Sequence, residues 1–242
     1  MTSAVTPRAD VERALVIVAH PDDVDYGAGG TVATWTRAGI DVRYVIVTSG
    51  DAGGFDDDFP RAEMAALRER EQRDAAAAVG VTEVTFLRYP DGQLYPTLEL
   101  RRDLSREIRR FRPQRVLTQS PEINWDRIYA SHPDHRAAGE AALNAVYPDA
   151  RNPYTFPELR EAGFEAWTVP ELWMMAGNHS NHYVDVTDAL DAKIAALRAH
   201  KSQTAHHDGL EEMIRNWLTA NARQANLPEG CLAESFRLIN TA

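Results

Sequence analysis

Cysteine is nearly absent from this chain: among 242 residues only Cys231 is found. No internal disulfide can form. A secreted disulfide scaffold, a four-cysteine zinc module and an iron–sulfur site are excluded within one chain. Lysine is almost as scarce. Of 26 basic residues only Lys193 and Lys201 are lysine, and the bias to arginine and alanine reads as the mark of a GC-rich bacterial genome. Positive charge is in deficit, with 36 acidic residues giving a net charge of −10. A nucleic-acid binder needs a cationic surface to displace phosphate counterions, so nucleic acid is not expected as a partner. Long apolar runs are missing too. The early run at 14–19 is too short for a signal peptide or a membrane span, and no run of about 18 apolar residues follows. The expectation is a soluble, cytoplasmic protein with no membrane partner.

What is present is ordinary globular material, 44% hydrophobic and 26% charged, enough for one large domain with a sizeable core. The run ALVIVA at 14–19 reads as a strand covered on both faces. A glycine-rich segment (Gly27, Gly29, Gly30) and a helical stretch ending near Gly39 follow it. Further strands are expected at 42–47, 83–88, 114–119 and 171–176. Helices are expected at 61–79, around 100–111, from about Asp134, and at 188–200 and 208–223. Leu100, Leu104, Ile108 and Phe111 share one helical face, as do Leu210, Met213, Ile214 and Trp217. Strand alternating with helix predicts a single α/β domain over 1–242, with a mostly parallel, Rossmann-like sheet and flanking helices. The irregular stretch at about 148–182 is expected to cap a substrate pocket.

Parallel α/β sheets place their sites at the carboxyl ends of strands. The first strand ends in His20-Pro21-Asp22-Asp23, an imidazole and two adjacent carboxylates directly after six apolar residues. Unpaired carboxylates there repel each other and lose solvation, and a divalent cation offsets both costs. His132-Pro133-Asp134-His135 repeats the pattern at the start of a later helix. Together the two segments supply histidine, carboxylate and histidine, the ligand set of a catalytic zinc site with one open position. Nitrogen and oxygen donors without thiolates point to zinc or a similar transition metal. Taken singly, a histidine after a strand is an ordinary loop residue, and an Asp pair before a helix is an N-cap. The recurrence of His-Pro-Asp at two strand ends sets this pair apart.

These segments resemble the family of zinc-dependent N-acetylglucosaminyl deacetylases, the LmbE-like or PIG-L-like family. The resemblance begins with AHPDDVDYGAGGTVA at 19–33 and continues through TSGDAGG at 48–54, Arg68-x-x-Glu71, Asp91-Gly92-x-Leu94 and HPDHRAAG at 132–139. It ends with Asp185-x-Thr187, Lys193 and His200-x-Ser202-Gln203. It implies that His20, Asp23 and His135 bind Zn2+. Asp22 would be the general base toward the water that the metal activates, and would later protonate the leaving amine. His132 would stabilise the developing negative charge as an imidazolium. Asp134 either orients one of the histidines or caps its helix. Arg68, Asp91 and Ser49 would contact the small-molecule amino-sugar substrate, with an i,i+3 ion pair to Glu71 as the other reading of Arg68. Lys193, His200 and Gln203 would tie the C-terminal helix to the domain.

Two positions depart from the family pattern. Val24 follows the Asp pair where many members carry Glu, with Asp25 one place later. Ala130 stands where some members place an oxyanion-binding tyrosine, which leaves Tyr129 as the nearest substitute. Relatives are often oligomeric, so a homo-oligomer is a further expectation. The implied activity is removal of an N-acetyl group from an N-acetylglucosamine-type sugar or a glycosylated small molecule. Two alternatives remain: an amidase cleaving a thiol-conjugate amide of a glucosamine–inositol compound, and a non-catalytic metal- or sugar-binding protein. The glycine run is not a dinucleotide loop, since Val32 occupies the third glycine position and three carboxylates crowd the segment. Asp56-Asp57-Asp58 reads as a solvated loop, and His182 is placed near the pocket mouth. Nothing marks Cys231 as a nucleophile.

Overall fold

The computed structural model describes residues 7–55 and 58–242; Asp56 and Asp57 of the acidic loop, and the first six residues, lie outside the described residues. In chain order the elements are β1 (Arg13–Val18), α1 (Asp23–Arg37), β2 (Asp41–Thr48), α2 (Arg61–Ala78), β3 (Glu83–Tyr89), α3 (Leu98–Phe111) and β4 (Arg115–Gln119). Then come α4 (Pro133–Asn144), α5 (Pro157–Glu161), β5 (Glu171–Met175), β6 (His182–Asp185), α6 (Leu190–Ala199), α7 (Lys201–Thr204), α8 (Leu210–Gln224) and β7 (Ala233–Asn240). The sheet runs in the order β3-β2-β1-β4-β5-β7-β6. The first five strands are parallel neighbours, and β7 and β6 add an antiparallel edge.

The alternation of side chains along a strand assigns β1 to two cores. Ala14, Val16 and Val18 face a cluster built with α1, α2, α6 and α8. Leu15, Ile17 and Ala19 face a second cluster built with α3 and α4. Both faces of β1 are therefore buried, which is why its sequence is a continuous apolar run. α3 starts where Thr97 accepts a hydrogen bond from the Leu100 N–H at its N-cap.

The glycine-rich segment, placed before the helical stretch in the sequence, lies inside α1. Gly30 is there for close packing: a Cβ on it would stand 2.8 Å from Cβ of Val186. Two strands escaped the sequence reading. β6 has four residues, and β7 (AESFRLIN) mixes charge with apolar residues instead of showing a run. The face expected for α8 is also revised. Leu210, Ile214 and Leu218 are buried, whereas Met213 is 41% exposed because it borders a cleft. The stretch expected as a cap divides. Residues 149–155 receive four hydrogen bonds from the Arg109 guanidinium, and Trp167 Nε1 donates to Pro113 O at 2.7 Å. These contacts hold it near the start of β4, away from the strands' carboxyl ends. Of residues 148–182, only Met175 and Ala176 line the cleft beside the site. No described helix is long and apolar enough to cross a membrane.

Candidate metal centre

The carboxyl ends of β1, β2 and β4 are tied at Ala19. Its N–H donates to Gln119 Oε1 at 3.0 Å, and its carbonyl accepts from the Thr48 N–H at 2.8 Å and the Thr48 hydroxyl at 3.0 Å. From this anchor the chain turns through His20 and Pro21 to Asp22, which has a φ of 89°. That left-handed backbone on a non-glycine residue costs on the order of 1–3 kcal/mol and persists only where neighbours impose it. α2 imposes it. The Asp22 N–H donates to Gln72 Oε1 at 2.9 Å, and Arg68 Nη2 donates to Pro21 O at 2.7 Å and to Asp22 Oδ2 at 3.1 Å. Arg68 Nη1 also holds Gly50 O at 3.0 Å.

The turn brings three lone-pair donors to one point. His20 Nδ1 lies 3.2 Å from His135 Nε2 and 3.5 Å from Asp23 Oδ2, and His135 Nε2 lies 3.0 Å from Asp23 Oδ1. Ligands held ~2.1 Å from a tetrahedral zinc stand roughly 3.4 Å from one another. The three groups thus have the spacing and the donor chemistry of a metal site. One ring nitrogen from each of His20, His132 and His135 also lies within 4.8 Å of the others, as do a His20 ring nitrogen and one carboxylate oxygen each from Asp91 and Asp134. The second of these sets is not an alternative site, because its carboxylates are engaged. Asp91 accepts from the Ala52 N–H at 2.8 Å, and Asp134 accepts from Gly92 and Leu94 at 2.7 and 3.1 Å. Both carboxylates instead grip the far nitrogen of His20, with Nε2 at 3.0 Å from Asp91 and 3.2 Å from Asp134. A metal-binding imidazole is commonly oriented by a carboxylate on its other nitrogen, and here two carboxylates leave Nδ1 as the free donor.

The electrostatics follow from this crowding. Burial opposes a charge on His20, but Asp134, Asp23 and Asp91 outweigh it and push its pKa up to about 12. Burial likewise opposes the Asp23 carboxylate, yet His135 and His20 hold it well below the usual range. Asp22 goes the other way. Burial pushes it up to about 6 against the pull of Arg68, with the Asp23 charge adding to the rise.

His132 is the N-cap of α4: the Asp134 N–H donates to its Nδ1 at 3.2 Å. The capping alternative for Asp134 is thereby corrected, since the cap is its neighbour. Burial and the nearby His20 and His135 rings lower the His132 pKa. With Nδ1 accepting from the backbone, Nε2 is the ring atom left to donate, and the lowered pKa weighs against the imidazolium that the resemblance implied.

Behind Asp22 lies a buried polar chain that the sequence did not expose. Gln72 Nε2 donates to Asp25 Oδ2 at 3.0 Å, and His200 Nε2 meets the same oxygen at 2.8 Å. Gln72, Asp25 and His200 are all fully buried. The available signal was the i,i+4 spacing of Arg68 and Gln72, which turns both toward Asp22. The expected pair between Arg68 and Glu71 does not form, because Glu71 accepts from Ser202 instead. Ser49 donates to Glu69 at 2.8 Å. Lys193 is buried against Glu234 at 2.7 Å and also donates to the carbonyls of Asp25 and Tyr26. His182 stacks on Trp173 with ring centroids 4.7 Å apart and does not line the cleft. Tyr129 does line it, exposed, with its hydroxyl 3.2 Å from Arg127 Nε. The cleft has a volume of about 600 Å³, and Asp23 and His135 form part of its lining.

With this geometry the comparisons with known proteins agree. A family model described as PIG-L: GlcNAc-PI de-N-acetylase matches residues 15–146, which run from β1 through α4 and hold both His-Pro-Asp segments. The chain is 34% identical over 197 residues to a diacetylchitobiose deacetylase of Thermococcus kodakarensis, covering 81% of this chain and 72% of that protein. It is 29% identical over 260 residues to a 1D-myo-inositol 2-acetamido-2-deoxy-alpha-D-glucopyranoside deacetylase of Rhodococcus erythropolis, covering 86% and 87%. Among solved structures, N,N'-diacetylchitobiose deacetylase from Pyrococcus horikoshii superposes with a TM-score of 0.89 at 28% identity, over 99% of this chain and 88% of that one.

Proposed function

The chain belongs to the PIG-L family of GlcNAc-PI de-N-acetylases, and on that premise we propose that it is a zinc-dependent hydrolase removing the N-acetyl group of an N-acetylglucosamine-type sugar or glycosylated small molecule. One observation carries the reading: His20 Nδ1, His135 Nε2 and the Asp23 carboxylate converge at 3.0–3.5 Å beside a strained carboxylate that is not among them. His20, Asp23 and His135 would hold the metal. Bound there, zinc would supply a Lewis acid that polarises the acetamide carbonyl and lowers the pKa of water toward ~7.

The chain's own residues do the rest. Asp22, with its pKa lifted to about 6, is poised between carboxylate and acid near neutral pH. As the carboxylate it takes a proton from the attacking water, and as the acid it returns that proton to the departing amine. Arg68 and Gln72 keep it in place, and Asp91 and Asp134 fix the His20 ring. His132 donates its Nε2–H to the carbonyl oxygen as that oxygen becomes negative, a contact worth roughly 3 kcal/mol of barrier. We therefore assign Arg68 and Asp91 to positioning, because both Nη atoms of Arg68 and both carboxylate oxygens of Asp91 are engaged inside the protein. The same reading makes this a cytoplasmic enzyme of small amino sugars, with no nucleic acid or membrane as partner.

Acetate release from diacetylchitobiose, measured on chelator-stripped and zinc-reloaded protein, tests the proposal. The stripped protein should be inactive, and reloading to about one zinc per chain should restore turnover. Tight zinc binding with no hydrolysis across a broad amide panel would establish the non-catalytic binding protein instead.

A further inference from the structure

We infer that the cleft beside the metal ligands is an acyl subsite, and that the enzyme hydrolyses amino-sugar amides whose acyl group is an apolar chain longer than acetyl. The inference rests on the hydrolase reading and adds the substrate class to it.

The cleft is about 600 Å³ and begins at the metal ligands themselves, with Asp23 and His135 in its wall. The other walls are Tyr26, Met175, Met213 and Trp217. The outer rim is a stack in which the Arg127 guanidinium lies 4.7 Å from the Trp217 ring and 5.5 Å from the Tyr129 ring. That rim is stapled in place. The Arg127 N–H donates to Asn124 Oδ1 at 3.0 Å, and the Asn124 N–H donates to the Ser131 hydroxyl at 2.7 Å. Gly27 makes the room. A Cβ there would stand 2.2 Å from the sulfur of Met175, so only glycine lets that side chain lie along the wall.

A sugar ring fits these walls poorly. Each buried hydroxyl needs a hydrogen-bond partner, and of the polar groups in the lining Gln119 Oε1 already accepts from Ala19, the Tyr129 hydroxyl accepts from Arg127, and Asp23 and His135 face each other at the metal site. An alkyl or aryl chain needs no partner and gains from burial. The direction of the amide decides which end of the substrate enters. Asp22 hands its proton to the amine, so the sugar nitrogen lies toward Asp22. Neither Asp22 nor His132 lines the cleft. The cleft therefore extends from the carbonyl-carbon side of the bond, where the acyl chain leaves.

The test compares methyl glycosides of glucosamine N-acylated with acetyl, butanoyl and hexanoyl groups, following free amine, with octyl N-acetylglucosaminide as the control for an apolar aglycone. The zinc-loaded protein should show kcat/KM rising at least about tenfold from acetyl to hexanoyl, chiefly through KM. Met213 lies on the solvent side of α8, so Met213→Asp keeps the fold while placing a charge in the cleft. It should collapse the hexanoyl-to-acetyl ratio, and Met213→Leu should restore it. Equal turnover of all acyl lengths overturns the inference, as does a gain with the octyl aglycone alone or a ratio unmoved by Met213→Asp. Absence of amine from every compound would instead overturn the hydrolase reading beneath it.

Discussion

At the scale of the residue, the account turns on how Asp22 is held. A carboxylate whose backbone sits at φ 89° relaxes if its supports are removed, and Gln72 supports it through the main chain. Gln72→Leu should lower kcat about 10- to 100-fold, as misplacement of a reacting group does, with KM and zinc content close to wild type. Steady-state kinetics beside metal analysis would check this, and parallel losses of zinc and kcat would move Gln72 to a structural role. That His20, Asp23 and His135 would converge was legible in the sequence, because His-Pro-Asp recurs at two strand ends. Their supports were not. Arg68 was visible as a residue, but whether its guanidinium points to solvent or to Pro21 is decided by the packing of α2 against α6 and β3, which no local pattern encodes. The hydrogen bonding of His132 was hidden for the same reason, since its Nδ1 accepts from the Asp134 N–H only when α4 starts at Pro133.

At the scale of the element, α1 carries both the proposed metal ligand Asp23 and an unusual repair. Lys193 of α6 donates to the carbonyls of Asp25 and Tyr26, while Glu234 of β7 accepts from the N–H groups of Gly30 and Thr31. Tyr26 O and Gly30 N are groups that would otherwise bond each other along the helix. The Lys193–Glu234 pair, with side chains 0% and 2% exposed, is thus inserted into the helix ladder. Lys193→Met would leave a buried carboxylate without its cation and should cost about 3–5 kcal/mol. Urea unfolding at neutral pH would measure the loss, and a change within experimental error would refute the inserted-pair account. Among the parallel strands, β1, β2, β4 and β5 were readable because strands buried on both faces carry apolar runs, and the half-buried edge strand β3 was readable from its β-branched and aromatic residues. β7 was not, because Glu234 near its start, buried against Lys193, and Arg237 in its middle put charges into the strand and break the hydrophobic signal. Glycine content hid the start of α1 for a related reason: there it reflects the approach of Val186 to Gly30 and of Met175 to Gly27.

At the scale of the whole molecule, the acidic surplus that opened the sequence reading acquires a local meaning. Three carboxylates, Asp23, Asp91 and Asp134, surround one imidazole. In the metal-free protein they keep His20 charged, with a pKa pushed up to about 12. Folding therefore raises that pKa above the unfolded value of ~6.5. The resulting stabilisation is complete below that pH and is lost as the pH rises toward about 12. A metal binds the same ring in its neutral form, so uptake must release a proton. Zinc affinity should fall as the pH is lowered. At pH 7 the calorimetric heat of binding should differ between two buffers of different ionisation enthalpy. Identical heats in the two buffers would contradict this competition between proton and metal.

The central claim is that Asp22 moves the proton while His20, Asp23 and His135 hold the metal, and one measurement separates the two tasks. Asp22→Asn should be compared with wild type for zinc content and for acetate released from diacetylchitobiose. The account predicts about one zinc per chain in both proteins and a loss of roughly 10²–10⁴-fold in kcat for the variant. Undiminished turnover in Asp22→Asn with its zinc in place would contradict it.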